Sequence, residues 1–83
     1  MPAAPSDDRD PQLVALGRVL TELRGSRTQE DVALSLGTST SAISFLESGR
    51  RSPNYRTLRR HLDVLGISLT EFARRLEEAE RSA

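Results

Sequence analysis

The amino-acid sequence predicts one all-α domain built from five short helices. Three observations predict it. Apolar residues recur at intervals of three and four, the helical period, and nowhere in the alternation that marks a strand. Each apolar run follows a short polar residue able to cap a helix, and four runs are closed by glycine, at Gly25, Gly37, Gly49 and Gly66. The 83 residues leave room for one small core and its connections.

Residues 1–9 hold prolines, small residues and acids without periodicity and are read as a flexible N-terminal arm. Asp10 caps helix 1 and Pro11 opens it, at the first helical position, where a missing N–H costs nothing. Leu13, Leu16, Leu20 and Leu23 form its stripe, and it ends at Arg24 before Gly25. Helix 2 is expected over 28–36, with Thr28 as cap, Asp31 at capping-box spacing, and Val32, Ala33 and Leu36 as its apolar face. Gly37, Thr38 and Ser39 make a tight turn. Ser39 caps helix 3, expected over 39–48, with Ile43 and Leu46 facing inward and Gly49 as its stop. The loop Arg50-Arg51-Ser52-Pro53 leads to Asn54, the cap of helix 4, where Tyr55, Leu58, Leu62 and Leu65 share a face. Ser68 and Glu71 stand at capping-box spacing for helix 5, whose stripe is Leu69, Phe72 and Leu76, with fraying expected from Glu77 onward. The folded domain is expected over 10–81.

Composition narrows the function. There is no cysteine, which excludes disulfides, thiolate metal sites and a cysteine nucleophile, and the single histidine, His61, cannot make a metal cluster. No paired carboxylates, nucleophile–base pair or phosphate-cradling glycine loop appears, so neither an enzyme nor a cofactor is expected. No apolar run approaches the roughly 20 residues of a membrane helix. The acidic N-terminus has no apolar core of a secretory signal, so a cytoplasmic, nucleoid-associated protein with no membrane partner is expected. Formal net charge is zero, yet it is unevenly spread. Residues 24–60 carry seven arginines against Glu30, Asp31 and Glu47, a net +4, while each end of the chain is net −2. A basic centre between acidic ends suits a nucleic-acid partner met by the centre.

The informative segment begins at Gln29. Two helices that cross steeply through a short turn need a small residue where they approach, a residue tolerant of left-handed φ in the turn, and a branched apolar residue on the second helix. Counting Gln29 as the first position, Ala33 is the fifth, Gly37 the ninth and Ile43 the fifteenth, and they meet the three demands in that order.

From Leu16 to Phe72 the chain resembles the Cro and phage-repressor (XRE-like) helix-turn-helix family. The resemblance rests on Thr28-Gln29-Glu30-Asp31-Val32-Ala33, on Leu36-Gly37-Thr38-Ser39, and on Ile43-Ser44-Phe45-Leu46-Glu47-Ser48-Gly49-Arg50-Arg51-Ser52-Pro53. Thr57-Leu58 and Leu65-Gly66-Ile67-Ser68-Leu69 add to it. It implies a lambda-repressor-like five-helix bundle, often dimeric, with helix 3 in the major groove of double-stranded DNA.

Residue by residue, the resemblance places base contacts at Thr40, Ser41, Ser44 and Phe45. Hydroxyls suit several bases, and a Thr methyl or Phe ring suits a thymine methyl. Phosphate contacts fall to Gln29, which also braces the recognition helix, and to Ser39, Arg50, Arg51 and Asn54, the arginines as charge-assisted donors. Arg24 and Arg27 are secondary candidates, and Arg56, Arg59 and Arg60 read as a solvated face. Glu47 would be repelled by DNA and is expected to point away and pair with an arginine. His61 is expected to be a partly buried structural residue. Phe45 departs from the family, whose members often carry a polar or basic residue there, and helix 3 has no Arg, Lys, Gln or Asn. Thymine-methyl contacts, readout of DNA shape and a protein-binding surface are three explanations. Ala73, Leu76 and Ala79 are expected to offer an apolar edge to a two-fold partner.

The function expected is a sequence-specific DNA-binding transcriptional regulator, a repressor acting as a homodimer on a short inverted repeat. The alternative is an antitoxin-like or adaptor protein whose main partner is another protein, motivated by Phe45, the zero net charge and the helix 5 stripe.

Overall fold

Short polar side chains fix where the helices begin. The computed structural model describes residues 10–82, so the N-terminal arm expected over 1–9 lies outside the described residues. The Asp10 carboxylate accepts from the Gln12 N–H at 2.8 Å and opens α1, Pro11–Arg24. Thr28 accepts from Asp31 to open α2, Gln29–Leu36, and Ser39 accepts from Ala42 to open α3, Thr40–Glu47. Asn54 accepts from Thr57 for α4, Tyr55–Leu65, and Ser68 accepts from Glu71 for α5, Leu69–Ser82. Each cap satisfies one of the N–H groups that a helix leaves without an internal partner. Five helices and no strand make up the described residues.

The caps also end helices as the sequence implies. Gly37 adopts φ 70° and ψ 36°, and the following Thr38 N–H closes onto the Ala33 carbonyl at 2.9 Å. An added Cβ at Gly37 would meet nothing within 4 Å. Its glycine is therefore required by the left-handed turn alone, not by crowding.

α1 is the central element. It packs against α3 on one side and α5 on the other, while α2 packs against α3 and α4. Two clusters fill the interior. The larger holds Leu16, Val19, Leu20, Leu46, Leu62 and Phe72, and the smaller holds Val32, Ala33 and Ile43. The four-leucine stripe marks only one face of α1. Ala15, Gly17 and Val19 are buried as well, because a helix covered on two sides needs two apolar faces.

Gly17 is where α1 and α3 come closest. A Cβ built there would stand 2.3 Å from the Glu47 carbonyl oxygen and 2.7 Å from that of Leu46. Gly49, just after α3, is the other half of this approach, since its Cβ would meet the Val14 Cα at 2.8 Å and its φ is +78°. The C-terminal end of α3 thus rests directly on the α1 backbone.

Three expectations are corrected. α5 does not fray at Glu77 but continues to Ser82, because Ala79 still packs against the core and Arg74 pairs with Glu71 and Glu78 one turn away on either side. Tyr55 does not join the Leu58–Leu62 face. It is 63% exposed at the first position of α4, its hydroxyl accepting from Arg59 at 2.8 Å. His61 is not partly but fully buried, at 1% exposure.

Gly17→Ala tests the close approach. Helix propensity alone would raise stability by about 1 kcal/mol, whereas overpacking at the helix crossing costs about 1–3 kcal/mol. Urea unfolding is expected to show a net loss for this variant; a net gain would mean that the helices are not in contact there.

Candidate nucleic-acid interface

α3 turns one face inward and leaves the other bare. Ile43 and Leu46 are buried, Ile43 against Val32 and Ala33 of α2 and Leu46 in the cluster on α1. Ser41, Ser44 and Phe45, at helical spacing, are exposed on the opposite face, and Thr40 is exposed in the first turn. The four residues expected to meet bases therefore share the solvent side of one short helix. Three of them carry a hydroxyl and the fourth an aromatic ring.

A buried carboxylate holds this helix in place. The Glu47 side chain, 5% exposed at the end of α3, accepts two hydrogen bonds from Arg24 of α1, from Nε at 2.8 Å and from Nη2 at 3.1 Å. Its Oε1 also accepts from the Gln29 amide at the start of α2, at 2.9 Å. The Thr21 hydroxyl, which donates to the Gly17 carbonyl at 2.8 Å, lies beside the same carboxylate. One side chain on α3 is thus tied to α1 and to α2 together. The sequence leads one to expect Glu47 to pair with an arginine, and that arginine is Arg24.

Arginines outside α3 largely serve the fold. Arg24 also donates to the Arg27 carbonyl at 2.7 Å, and Arg27 reaches across to the Val64 carbonyl at 2.9 Å. Arg60 donates to the Leu36 carbonyl at 3.2 Å. These three guanidiniums close the carbonyl ends of a loop and two helices, which suits cations at helix C-termini. Arg74 and Arg75 are neutralised by acids of α5 itself. Arg50 and Arg51, exposed just beyond α3, have no acidic partner among the described residues. The Arg51 guanidinium lies 5.0 Å from the centre of the Phe45 ring.

The two polar caps keep a donor in hand. The Ser39 oxygen accepts from Ala42, which leaves its O–H to donate outward. The Asn54 side-chain oxygen accepts from Thr57, which leaves its NH₂ group. Gln29 is half-buried and uses one amide N–H on Glu47, with the second remaining. On α5, Ala73 is exposed, whereas Leu76 and Ala79 are half-buried against the core. The apolar edge expected there is thus partly used within the chain.

The sequence reading missed Gly17 and Gly49 as contact points and Arg24 as the partner of Glu47. Gly17 carried a signal, a lone glycine inside an otherwise regular helical run, which usually has a packing reason. The Arg24–Glu47 pair spans 23 positions and had no local signal.

The family model described as "Helix-turn-helix" matches residues 21–72, more than half of the chain. Two solved structures of single-substitution mutants of the restriction-modification controller protein C.Esp1396I are similar in fold. Their TM-scores are 0.78 and 0.77 at 23% identity, and in each case the alignment covers 86% of this chain and 97% of the other. No curated protein matches the chain in sequence. Among the described residues no helix is long and apolar enough to cross a membrane.

Two titrating groups sit behind the interface. Burial pushes the Glu47 carboxyl up, but the hydrogen bonds from Arg24 and Gln29 outweigh it and hold the group below its ordinary 4.5. Burial pushes His61 below its ordinary 6.5, against the opposing pull of the Glu47 charge, and neither ring nitrogen has a hydrogen-bond partner among the described residues. Both groups have depressed folded-state values, so each favours folding above its ordinary value and loses that stability as pH falls toward the folded one. Unfolding midpoints are expected to be level above pH 7, to fall from about pH 6.5 as His61 begins to resist protonation, and to fall again from about pH 4.5 with Glu47. His61→Leu should abolish the first fall and leave the second. An unchanged first fall in that variant would assign it to another group.

Proposed function

The chain belongs to the helix-turn-helix family of DNA-binding regulators, and from that premise we propose that it binds a short inverted repeat in double-stranded DNA as a homodimer and represses transcription there. One observation carries this reading. A short helix, braced from behind by a buried carboxylate, turns a hydroxyl-rich face with no ion pairs across it to solvent, beside two arginines without acidic partners. Thr40, Ser41 and Ser44 reach base edges in the major groove. Arg50, the Ser39 hydroxyl, the Asn54 amide and the second Gln29 N–H hold phosphates on either side. Phosphate contacts fix the register of the helix, and base contacts select the sequence.

Dimerisation places two such helices about 34–36 Å apart, one turn of the duplex. A domain of this size has a small core and gains from a partner. The two-fold contact falls on α5, through the exposed Ala73 and the uncovered sides of Leu76 and Ala79, with exposed Leu69 one turn before Ala73. Such a protein works in the cytoplasm, on the nucleoid. Leu34, 74% exposed on α2, favours a protein partner instead. Retention of a protein with no DNA shift at low salt would support that second reading.

Selection from a random duplex pool, followed by affinity measurements against salt, tests the main reading. Specific and random DNA should both release counterions, with affinity falling steeply as salt rises. Arg50→Ala should weaken binding to both and lower the salt slope by about 1. Thr40→Ala should cost about 1 kcal/mol on the selected duplex and little on random DNA. Equal losses on the two would remove Thr40 from the base-reading set.

A further inference from the structure

We propose that Phe45 reads the 5-methyl group of a pyrimidine, with Arg51 holding its ring in the reading position. The inference rests on the DNA-binding reading above and names a chemical group that α3 recognises. Phe45 is 37% exposed, the one large apolar side chain on the outer face of α3. Its neighbours on that face, Ser41 and Ser44, are short. A helix so trimmed can lie close to the groove floor, and the ring is then the longest reach it has. Left in water, the ring is unfavourable; against an apolar group it is not. The apolar group displayed in the major groove is the methyl on C5 of thymine, and 5-methylcytosine carries the same methyl on the same atom.

The geometry around the ring selects this contact over stacking. The Arg51 guanidinium lies 5.0 Å from the ring centre and covers one face. That face is closed to a base, and the contact is made by what of the 37% exposed ring remains uncovered. The placement of Arg51 is itself fixed by how α3 ends. The Phe45 carbonyl accepts from the Arg50 N–H at 3.0 Å and from the Ser48 hydroxyl at 3.3 Å. Between them Gly49 turns at positive φ, packed against the Val14 backbone. The loop therefore delivers Arg51 to the ring as a consequence of the α1–α3 contact. Arg51 is a positioning residue in this account, rather than the plain phosphate contact that the sequence suggests.

The test uses duplexes enriched by the full chain from a random-sequence pool. In an enriched duplex each thymine is replaced in turn by uracil, which removes the methyl and nothing else. At the thymine so found, a C·G pair and a 5-methylcytosine·G pair are then compared, which isolates the methyl from the rest of the base. Uracil at one thymine per half-site is expected to weaken binding about three- to fivefold, the effect of burying one methyl group. 5-Methylcytosine should outbind cytosine at that position by a similar factor. Phe45→Ala should erase both differences, while Arg51→Gln should shrink them and Arg51→Lys, which keeps a cation for the ring, should largely restore them. Circular dichroism of each variant separates lost folding from lost reading. If sequence-selective binding persists but uracil and thymine are equal everywhere, the methyl reading is wrong and the DNA-binding reading stands. If no sequence is enriched from the pool, both readings fall.

Discussion

The Glu47 carboxylate is the point on which the arrangement of the first three helices depends. It sits at the end of α3, almost out of contact with water, and is held by Arg24 from α1 and Gln29 from α2. A carboxylate in that position would be costly without partners, and a guanidinium that meets it with two N–H groups is the strongest partner a protein offers. The same three residues define the crossing of the two helices that matter for recognition. Apolar packing of Ile43 on Val32 and Ala33 brings α3 against α2, but apolar contacts have no direction. The hydrogen bonds at Glu47 add direction, so the angle at which α3 stands away from the bundle is fixed from behind.

That anchoring sorts the arginines by task. Arg24, Arg27 and Arg60 sit where a helix or loop ends and its carbonyls need donors, and they are occupied there. Arg74 and Arg75 face the acids of their own helix. Beyond the end of α3, Arg50 and Arg51 are exposed and have no acidic partner among the described residues. A chain with zero net charge can thus present a basic edge, because its acids lie elsewhere, five of the ten described ones beyond α4's start, and several of its arginines are used in the fold. Uneven charge along the sequence pointed to this, but could not say which arginines would remain available.

Much of the fold was legible because local rules and global packing agree. Asp10, Thr28, Ser39, Asn54 and Ser68 each stand before a helical run and each caps it in the structure. Ala33, Gly37 and Ile43 announced the crossing of α2 and α3 from their spacing. What was not legible is what depends on distant parts of the chain. The burial of Val19 and Ala15 follows from α1 being covered on two sides, which a single-stripe reading of a helix does not anticipate. The extension of α5 past Glu77 follows from Ala79 meeting the core and from ion pairs along an otherwise polar helix. Tyr55 lies at the helical spacing of the buried face yet points out, because periodicity gives a direction around the helix and not whether anything stands opposite. In the candidate site, the outward side of α3 was readable from periodicity, but the stacking of Arg51 on Phe45 was not, since it arises from the turn at Gly49 resting on α1.

The most direct test of the central interaction is a double-mutant cycle on Arg24 and Glu47. Arg24→Met and Glu47→Gln keep the volume of each side chain while removing its charge, and urea unfolding of the two single variants and the double variant yields their coupling. A buried pair that orients α3 predicts a coupling of about 2 kcal/mol or more, well above the fraction of a kcal/mol typical of exposed pairs. A coupling near zero would mean that the Arg24–Glu47 pair does not hold α3 on α1, and the account of an ion pair fixing the recognition helix would be contradicted.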